Sequence, residues 1–402
     1  VFHHKDQAMR NIKIKILVIG VLIIPKTLSG QPANTIVTGE KHIIHSEIIG
    51  EDKEYWVHLP LNYDKTTDKY PVLYLTDGDQ HFSLAAGLTD FMGSQFMIPD
   101  FIVVCIFHKD RIHDLTPTHS LTDVTGFKSD AARTSGGGEK LLQFIEKELI
   151  AEIDKQYRTY SYRVLAGHSL GGLFCIYAYL NSSDLFKGFI SMDPVLMWDN
   201  SVCERTLKAL TDQSPNFKNK LYISSAHNAL EGKPDKGPHR ISQLSFTKVL
   251  KAKGVSNAKF ELFEDESHLQ VPYRSLYRGL LYMFPEFYIL KNPGFNAEIP
   301  FIKEHYENMS ELYGMKFIPP EFLLEMVGKY YLFERNEYDR SIEFFQLNTL
   351  NYPASCKAFE FLGRAYEAVG NREEAILNLK KALELNPENI EIRKMLIELE
   401  EQ

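Results

Sequence analysis

The sequence predicts an α/β fold: a mostly parallel central sheet with helices on both faces, followed by a small all-α region. Three observations predict it. Short continuous apolar runs alternate with stretches of helical periodicity from about residue 40 to about residue 290. A tight Gly167-His168-Ser169-Leu170-Gly171 turn joins one of those runs to a helix. Beyond about residue 290 the strand signal stops and a helical repeat begins.

The length of 402 residues exceeds one small core and predicts more than one domain. With 44% apolar and 24% charged residues, the chain reads as globular rather than disordered or collagen-like. Its net charge of −8 offers no basic footprint for nucleic acid. The four cysteines, Cys105, Cys175, Cys203 and Cys356, form no Cys-x-x-Cys pair, so no zinc ribbon or thioredoxin-type site is expected. Cys105 and Cys175 lie inside apolar runs and read as buried thiols. No metal or cofactor is expected.

Residues 1–30 read as an N-terminal extension and signal peptide. Met9 is followed by Arg10, Lys13 and Lys15, then by an apolar run over residues 16–24, then by Pro25, Ser29 and Gly30. A basic head, a short apolar stretch and a small-residue exit predict export to the periplasm or beyond the cell. The run is too short to span a bilayer well, and no cysteine follows it, so no stable membrane anchor is expected.

Residues 42–59 alternate around Gly50-Glu51-Asp52 and predict a hairpin. Residues 71–75 and 101–107 are continuous apolar runs of the kind that suit a sheet covered on both faces. Leu141, Leu142, Ile145, Leu149, Ile150 and Ile153 recur at helical spacing and predict a helix over 139–157. Residues 164–166 lead into the Ser169 turn, and 173–180 are helical. Strands are then expected at 188–192, 221–224 and 260–263, with a last helix at 271–284.

Asn292-Pro293-Gly294 marks a break, so the α/β domain is placed at 40–290, a connecting segment at 291–320 and a repeat region at 321–402. Phe359, Gly363, Tyr366, Ala375, Leu379, Ala382 and Pro387 fall on the pattern of a tetratricopeptide repeat. Ser341, Phe345 and Pro353 lie 34 residues before Ala375, Leu379 and Pro387. Gly328 and Tyr331 lie 35 before Gly363 and Tyr366, which places one extra residue in the first unit's turn. Two repeats are few for independent stability, so they are expected to lean on the α/β domain or on the helices of residues 300–318.

The strand–turn–helix setting of Ser169 matches the nucleophile elbow of the α/β-hydrolase fold. Such a turn holds a serine hydroxyl above the sheet edge, and Gly167 and Gly171 remove side chains that would collide across it. The hydroxyl needs a base, and in this fold the chain order is serine, acid, histidine. His268 follows the last expected strand and is the expected base; His227 and His239 sit earlier. Among the carboxylates, Glu231 in the loop after residues 221–225 is the expected acid, with Asp235 and Asp193 as alternatives. Glu266 reads as local support. The oxyanion hole is expected from the N–H of Leu170 and from Gly78-Asp79 after the strand at 71–75.

The same region resembles the putative esterase family that includes enterochelin esterases, S-formylglutathione hydrolase and feruloyl esterases. The matching stretches are Tyr70-Pro71-Val72-Leu73-Tyr74-Leu75-Thr76-Asp77-Gly78-Asp79, Arg111-Ile112-His113-Asp114-Leu115-Thr116-Pro117, Ser135-Gly136-Gly137-Gly138, Tyr157-Arg158-Thr159, residues 167–172 and Glu266-Ser267-His268. The resemblance covers roughly residues 40–290 and extends to siderophore-esterase-like proteins with C-terminal tetratricopeptide repeats. It implies ester hydrolysis without a metal, with Ser169 and His268 as nucleophile and base. It offers Arg111 and Trp198 as substrate contacts, although Arg111 with Asp114 also reads as a loop-fixing ion pair. One stretch departs from the pattern. Siderophore-type members often read Ser-Pro-Ser and then two tryptophans where this chain has Asp193-Pro194-Val195-Leu196-Met197-Trp198. That change argues against a catecholate siderophore.

The expectation is therefore an exported serine esterase acting on a small-molecule ester through a triad and an acyl-enzyme, with repeats that offer a surface to a protein partner. The alternatives are an interaction protein with a vestigial hydrolase domain, an acyltransferase of the same fold, and a peptidase.

Overall fold

The computed structural model describes residues 36–122, 128–182, 184–211, 215–229, 232–287 and 298–401. The expected signal segment, the Asn292-Pro293-Gly294 break and Glu231 lie outside these residues. Thr38–Gln402 form one compact unit.

An antiparallel hairpin, β1 (Glu40–Ser46) and β2 (Glu51–His58), opens the sheet, with Gly50 at φ 83° in its turn. The left-handed conformation explains the glycine there. β3 (Tyr70–Leu75) leads through α1 (Gly78–Ser94) to β4 (Ile102–Ile106) and α2 (Arg111–Leu115). α3 (Gly138–Phe144) runs through a π-helical turn, Ile145–Leu149, into α4 (Ile150–Gln156). β5 (Thr159–His168) and α5 (Leu170–Asn181) flank the Ser169 turn. β6 (Gly188–Met192), α6 (Trp198–Ala209), β7 (Lys220–Ala226), α7 (Pro238–Ala252), β8 (Ala258–Phe263) and α8 (Val271–Met283) complete the α/β part.

The eight strands lie in the order β1-β2-β4-β3-β5-β6-β7-β8, and all pairs from β4 to β8 are parallel. Every residue of β3, β4 and β6 is buried, which is why these strands read as unbroken apolar runs rather than alternating ones. The serine strand β5 sits between β3 and β6. The turns after β3, β5 and β6 therefore open at one edge of the sheet, where open α/β sheets bind ligands.

Among the described residues six α-helices follow: α9 (Ile299–Tyr313), α10 (Glu321–Lys329), α11 (Tyr338–Asn351), α12 (Cys356–Ala368), α13 (Arg372–Leu385) and α14 (Ile390–Glu401). Gly328 and Gly363 are the close-approach points of the two hairpins. A Cβ on Gly328 would lie 2.6 Å from the Phe345 ring, and one on Gly363 would lie 2.8 Å from Leu379. The extra residue of the first unit is absorbed in a π-helical turn, Tyr330–Arg335, which continues α10. It is not in the connecting turn, where the sequence suggested it. A π turn accommodates one inserted residue without breaking the helix.

The α/β part and the helical part share a core. One buried cluster contains Leu73, Val103 and Ala166 of the sheet, Leu276 and Leu280 of α8, Tyr306 and Tyr313 of α9, and Leu324, Val327, Phe344 and Leu347 of α10 and α11. The ring of Tyr313 lies 5.6 Å from Tyr162 of β5 and 5.0 Å from Phe284. Truncating fully buried Leu324 to Ala is expected to cost about 2–5 kcal/mol. If the two parts unfold together, chemical denaturation followed by fluorescence and by circular dichroism should shift in parallel, with a single transition.

Candidate active site

Ser169 occupies a strained position. Its φ is 60° and ψ −111°, between the end of β5 and the start of α5. The turn is pinned by Ser169 N–H donating to the Met192 carbonyl at 2.9 Å and by Val195 N–H donating to the Ser169 carbonyl at 3.2 Å. A Cβ on Gly167 would lie 2.5 Å from the Gly171 backbone, so only glycine permits the crossing. A non-glycine residue in this conformation persists only where its surroundings over-determine it, and such sites cluster at reaction centres.

His268 lies in the loop between β8 and α8. Its Nδ1 is 2.6 Å from Asp193 Oδ2, and its backbone N–H donates to Asn228 Oδ1 at 3.0 Å. Asp193 follows β6 directly, with φ 43° and no exposed surface. Its Oδ1 accepts from the Ala226 N–H at 3.0 Å and from Gln243 Nε2 at 2.8 Å. Burial alone would raise this carboxyl's pKa, but the hydrogen bonds from His239, His268 and Ala226 overcome it and hold the group ionised, well below the usual carboxylate range.

Ser169, His268, His239, Asn228, Val195, Met197 and Pro238 line one pocket of about 360 Å³. Among the described residues no hydrogen bond joins Ser169 Oγ to the His268 ring, a contact that commonly tightens only when substrate is bound. Asp193, His239 and His268 bring three ligand-type atoms within 4.8 Å of one another. These atoms are already joined through the carboxylate by hydrogen bonds.

The carboxylate facing His268 thus comes from the strand beside the serine strand, not from the loop after β7. Glu231, the expected acid, lies outside the described residues. Asp235 is engaged elsewhere: its oxygens accept from the Asn228 and Gly237 N–H groups at 2.9 and 3.0 Å. Glu266 pairs with Arg274 at 3.1 Å. His227 faces Glu264 at 2.9 Å, away from this network.

Leu170 begins α5, and Gly78 and Asp79 begin α1, so all three offer first-turn N–H groups that lack an intrahelical acceptor. Asp77, at φ 60°, sets the start of α1. Arg111 grips it with Nε 2.5 Å from Oδ1 and Nη2 2.9 Å from Oδ2, and Nη2 also donates to the His168 carbonyl at 3.0 Å. Arg111 therefore ties the turn after β3 to the residue before Ser169. Its ion-pair partner is Asp77, not Asp114, which instead accepts from buried Lys53 at 2.6 Å and pairs with His108 at 2.8 Å. Trp198, expected to contact substrate, is a core residue. It is 2% exposed, and its indole N–H donates to the Thr118 carbonyl at 3.3 Å, outside the pocket lining. All four cysteines are free thiols.

His168 went unremarked in the sequence. Its ring lies 4.4 Å from that of His268, with His81 stacked edge-on behind it at 5.7 Å. Its Nε2 is buried with no hydrogen-bond partner among the described residues. Burial, reinforced by His268 and His81, lowers its pKa from 6.5 to about 3. The unfolded chain takes up this proton near pH 6.5 and the folded chain not until about 3, so the stability it contributes is complete above 6.5 and is lost as the pH falls. Relative to His168→Gln, the protein should lose about 1.4 kcal/mol more per pH unit in that window. Urea denaturation from pH 7 to pH 4 measures it; parallel stability curves would refute the buried neutral imidazole.

Comparison with known proteins fits this geometry. Residues 46–237 match the family described as "Putative esterase", and residues 357–399 match a tetratricopeptide repeat. The chain is 28% identical over 142 residues to ferri-bacillibactin esterase of Bacillus subtilis (strain 168), covering 32% of this chain and 49% of that one. The match thus spans about half the length of that relative. It is 27% identical to the apo-salmochelin esterase of Escherichia coli O6:H1 over 232 residues, covering 53% of this chain and 69% of that one. Among solved structures, an IroE-like serine hydrolase from Shewanella oneidensis is similar at a TM-score of 0.64 and 29% identity, covering 77% of this chain and 99% of that chain. An uncharacterised protein from Capnocytophaga ochracea shares the fold over 90% of this chain and 100% of its own, at a TM-score of 0.60 and 15% identity. Residues 46–237 thus form a domain of the putative esterase family, similar to the siderophore esterases above, and residues 357–399 carry a tetratricopeptide repeat.

Proposed function

We propose that the protein is a serine hydrolase of carboxylic esters in which Ser169, His268 and Asp193 act as nucleophile, base and acid. The observation that carries this reading is the 2.6 Å hydrogen bond from His268 Nδ1 to the buried, ionised Asp193, in the pocket that Ser169 also lines. That bond commits the Nδ1 hydrogen to Asp193 and leaves Nε2 free to accept a proton.

Ser169 Oγ attacks the ester carbonyl while His268 Nε2 takes its proton. The oxyanion draws on the N–H of Leu170 and on those of Gly78 and Asp79, at the start of two helices. His268 then returns the proton to the alkoxide, which leaves as the alcohol. Water attacks the acyl-enzyme with His268 again as base, releasing the acid and restoring Ser169. Asp193 keeps its charge throughout and stabilises the imidazolium.

The pocket favours an uncharged acyl group. Val195, Met197 and Pro238 form its apolar wall, and among the described residues no Lys or Arg lines it. A site for a multiply anionic ferric catecholate would need such cations nearby. The relatives' substrates are therefore taken as an indication of ester chemistry and not of the ligand itself. The basic and apolar N-terminal segment supports action outside the cytoplasm, and the repeats support contact with a protein partner.

An ester panel tests the reading. Short p-nitrophenyl acyl esters should be hydrolysed, and a ferric triscatecholate lactone should be turned over at least tenfold less efficiently. Ser169→Ala should abolish turnover, and Asp193→Asn should lower kcat by about 10⁴ through the wrong histidine tautomer. Unchanged turnover in Ser169→Ala would sink the assignment.

A further inference from the structure

Asp193 is held by two imidazoles. His239, in the first turn of α7, brings Nε2 to 3.2 Å from Asp193 Oδ1, the oxygen opposite the one His268 engages. Gln243, one turn further along, places Nε2 2.8 Å from the same Oδ1 and 3.0 Å from the Pro194 carbonyl. Those two acceptors use both hydrogens of the Gln243 amide. At the 2.9 Å contact between Gln243 Nε2 and His239 Nε2, the histidine is therefore not the acceptor, and its own Nε2 hydrogen turns to Asp193. The His239 ring stands at 90° to that of His268, with centroids 5.6 Å apart, and both line the Ser169 pocket.

We propose that His239 is a positioning residue: it holds the Asp193 carboxylate turned toward His268 and, by drawing on the same negative charge, limits the basicity of His268. The proposal rests on the triad reading above. Two physical effects act in one direction. A carboxylate whose second oxygen is loaded with donors pulls less on the His268 Nδ1 hydrogen. Any positive charge gained by His239 would also oppose a second one on His268 at this separation.

The remaining groups around the pair do not supply this control. His168, at the end of β5, is neutral and packs against the His268 ring. Asn228, after β7, is uncharged. On the loop of His268, Glu264 is bound to Arg240 and His227, while Asp265 and Glu266 are bound to Arg274. Beside His239, Arg240 turns to Glu264, to the Ala226 carbonyl and, at 3.7 Å, to Asp235, whose oxygens also accept from backbone N–H groups. Asp193 is the carboxylate the two rings share.

The test compares His239→Ala and His239→Gln with the parent protein, because a glutamine amide can present an N–H at nearly the reach of imidazole Nε2. The titration midpoint of His268, read by NMR of ¹⁵N-histidine-labelled Ser169→Ala protein, should rise by about 0.5–1 pH unit in His239→Ala and return in His239→Gln. In the active background the acidic limb of kcat/KM should move with it. There kcat should fall about tenfold, with KM within about twofold, because the carboxylate loses its orientation. A midpoint that stays put in folded His239→Ala would overturn the proposal, as would a glutamine variant that behaves like alanine. If His239→Ala does not fold, His239→Gln against His239→Asn gives the same reading, since asparagine is too short to reach Oδ1. An absence of any ester turnover would count against the triad alone. The NMR midpoint would still decide whether His239 acts on His268.

Discussion

The site depends on one constraint: a carboxylate with no exposed surface has to remain charged. An ion of this kind out of water is tolerated only when its oxygens are filled with donors. Asp193 meets the condition by drawing on three separate parts of the chain. Ala226 at the end of β7 gives a backbone N–H, Gln243 and His239 come from α7, and His268 comes from the loop before α8. The sheet edge, one helix and one loop are thereby fixed around a single group, and His268 is held in the pocket that Ser169 lines as a consequence. Arg111 does the equivalent work on the other side, where its grip on Asp77 and the His168 carbonyl fixes the start of α1 beside the serine turn.

Ser169, His268 and the strand pattern were legible in the sequence because each is encoded locally. A nucleophile elbow is a run of five residues, a strand buried on both faces is an unbroken apolar run, and His268 follows the last such run. The tetratricopeptide repeat at residues 357–399 was legible for the same reason, and the 35-residue offset of Gly328 and Tyr331 marked the extra residue now seen in the π-helical turn. The carboxylate partner is not local. Asp193 is 75 residues from His268, and what pairs them is the adjacency of β6, β7 and β8 at the sheet edge. Chain order pointed to a carboxylate one strand later, after β7, and spacing alone gave no reason to single out Asp193 as the partner of His268.

His239, Gln243 and His168 were illegible for a related reason. A histidine in a polar stretch and a glutamine on a helix carry no signature until a buried charge is found for them to face. Trp198 misled in the opposite direction. It sits in a stretch where the family resemblance suggested a pocket wall, yet its indole turns into the core to reach Thr118. The helices α1, α6 and α7 were also missed. α6 contains three residues, Asp199, Asn200 and Ser201, with left-handed φ, and polar side chains interrupt its apolar spacing.

The shared core of the sheet and the C-terminal helices has a consequence for the order in which the chain can mature. The last strand ends at Phe263, but the apolar cluster on that side of the sheet is not closed until α11 contributes Phe344 and Leu347. A chain emerging from its N-terminus therefore completes its eight-stranded sheet while about eighty residues of cover are still to be made. Over that interval the nascent protein carries an uncovered apolar face. A holding factor would find its binding surface there, and a premature stop soon after His268 would leave that surface permanently open.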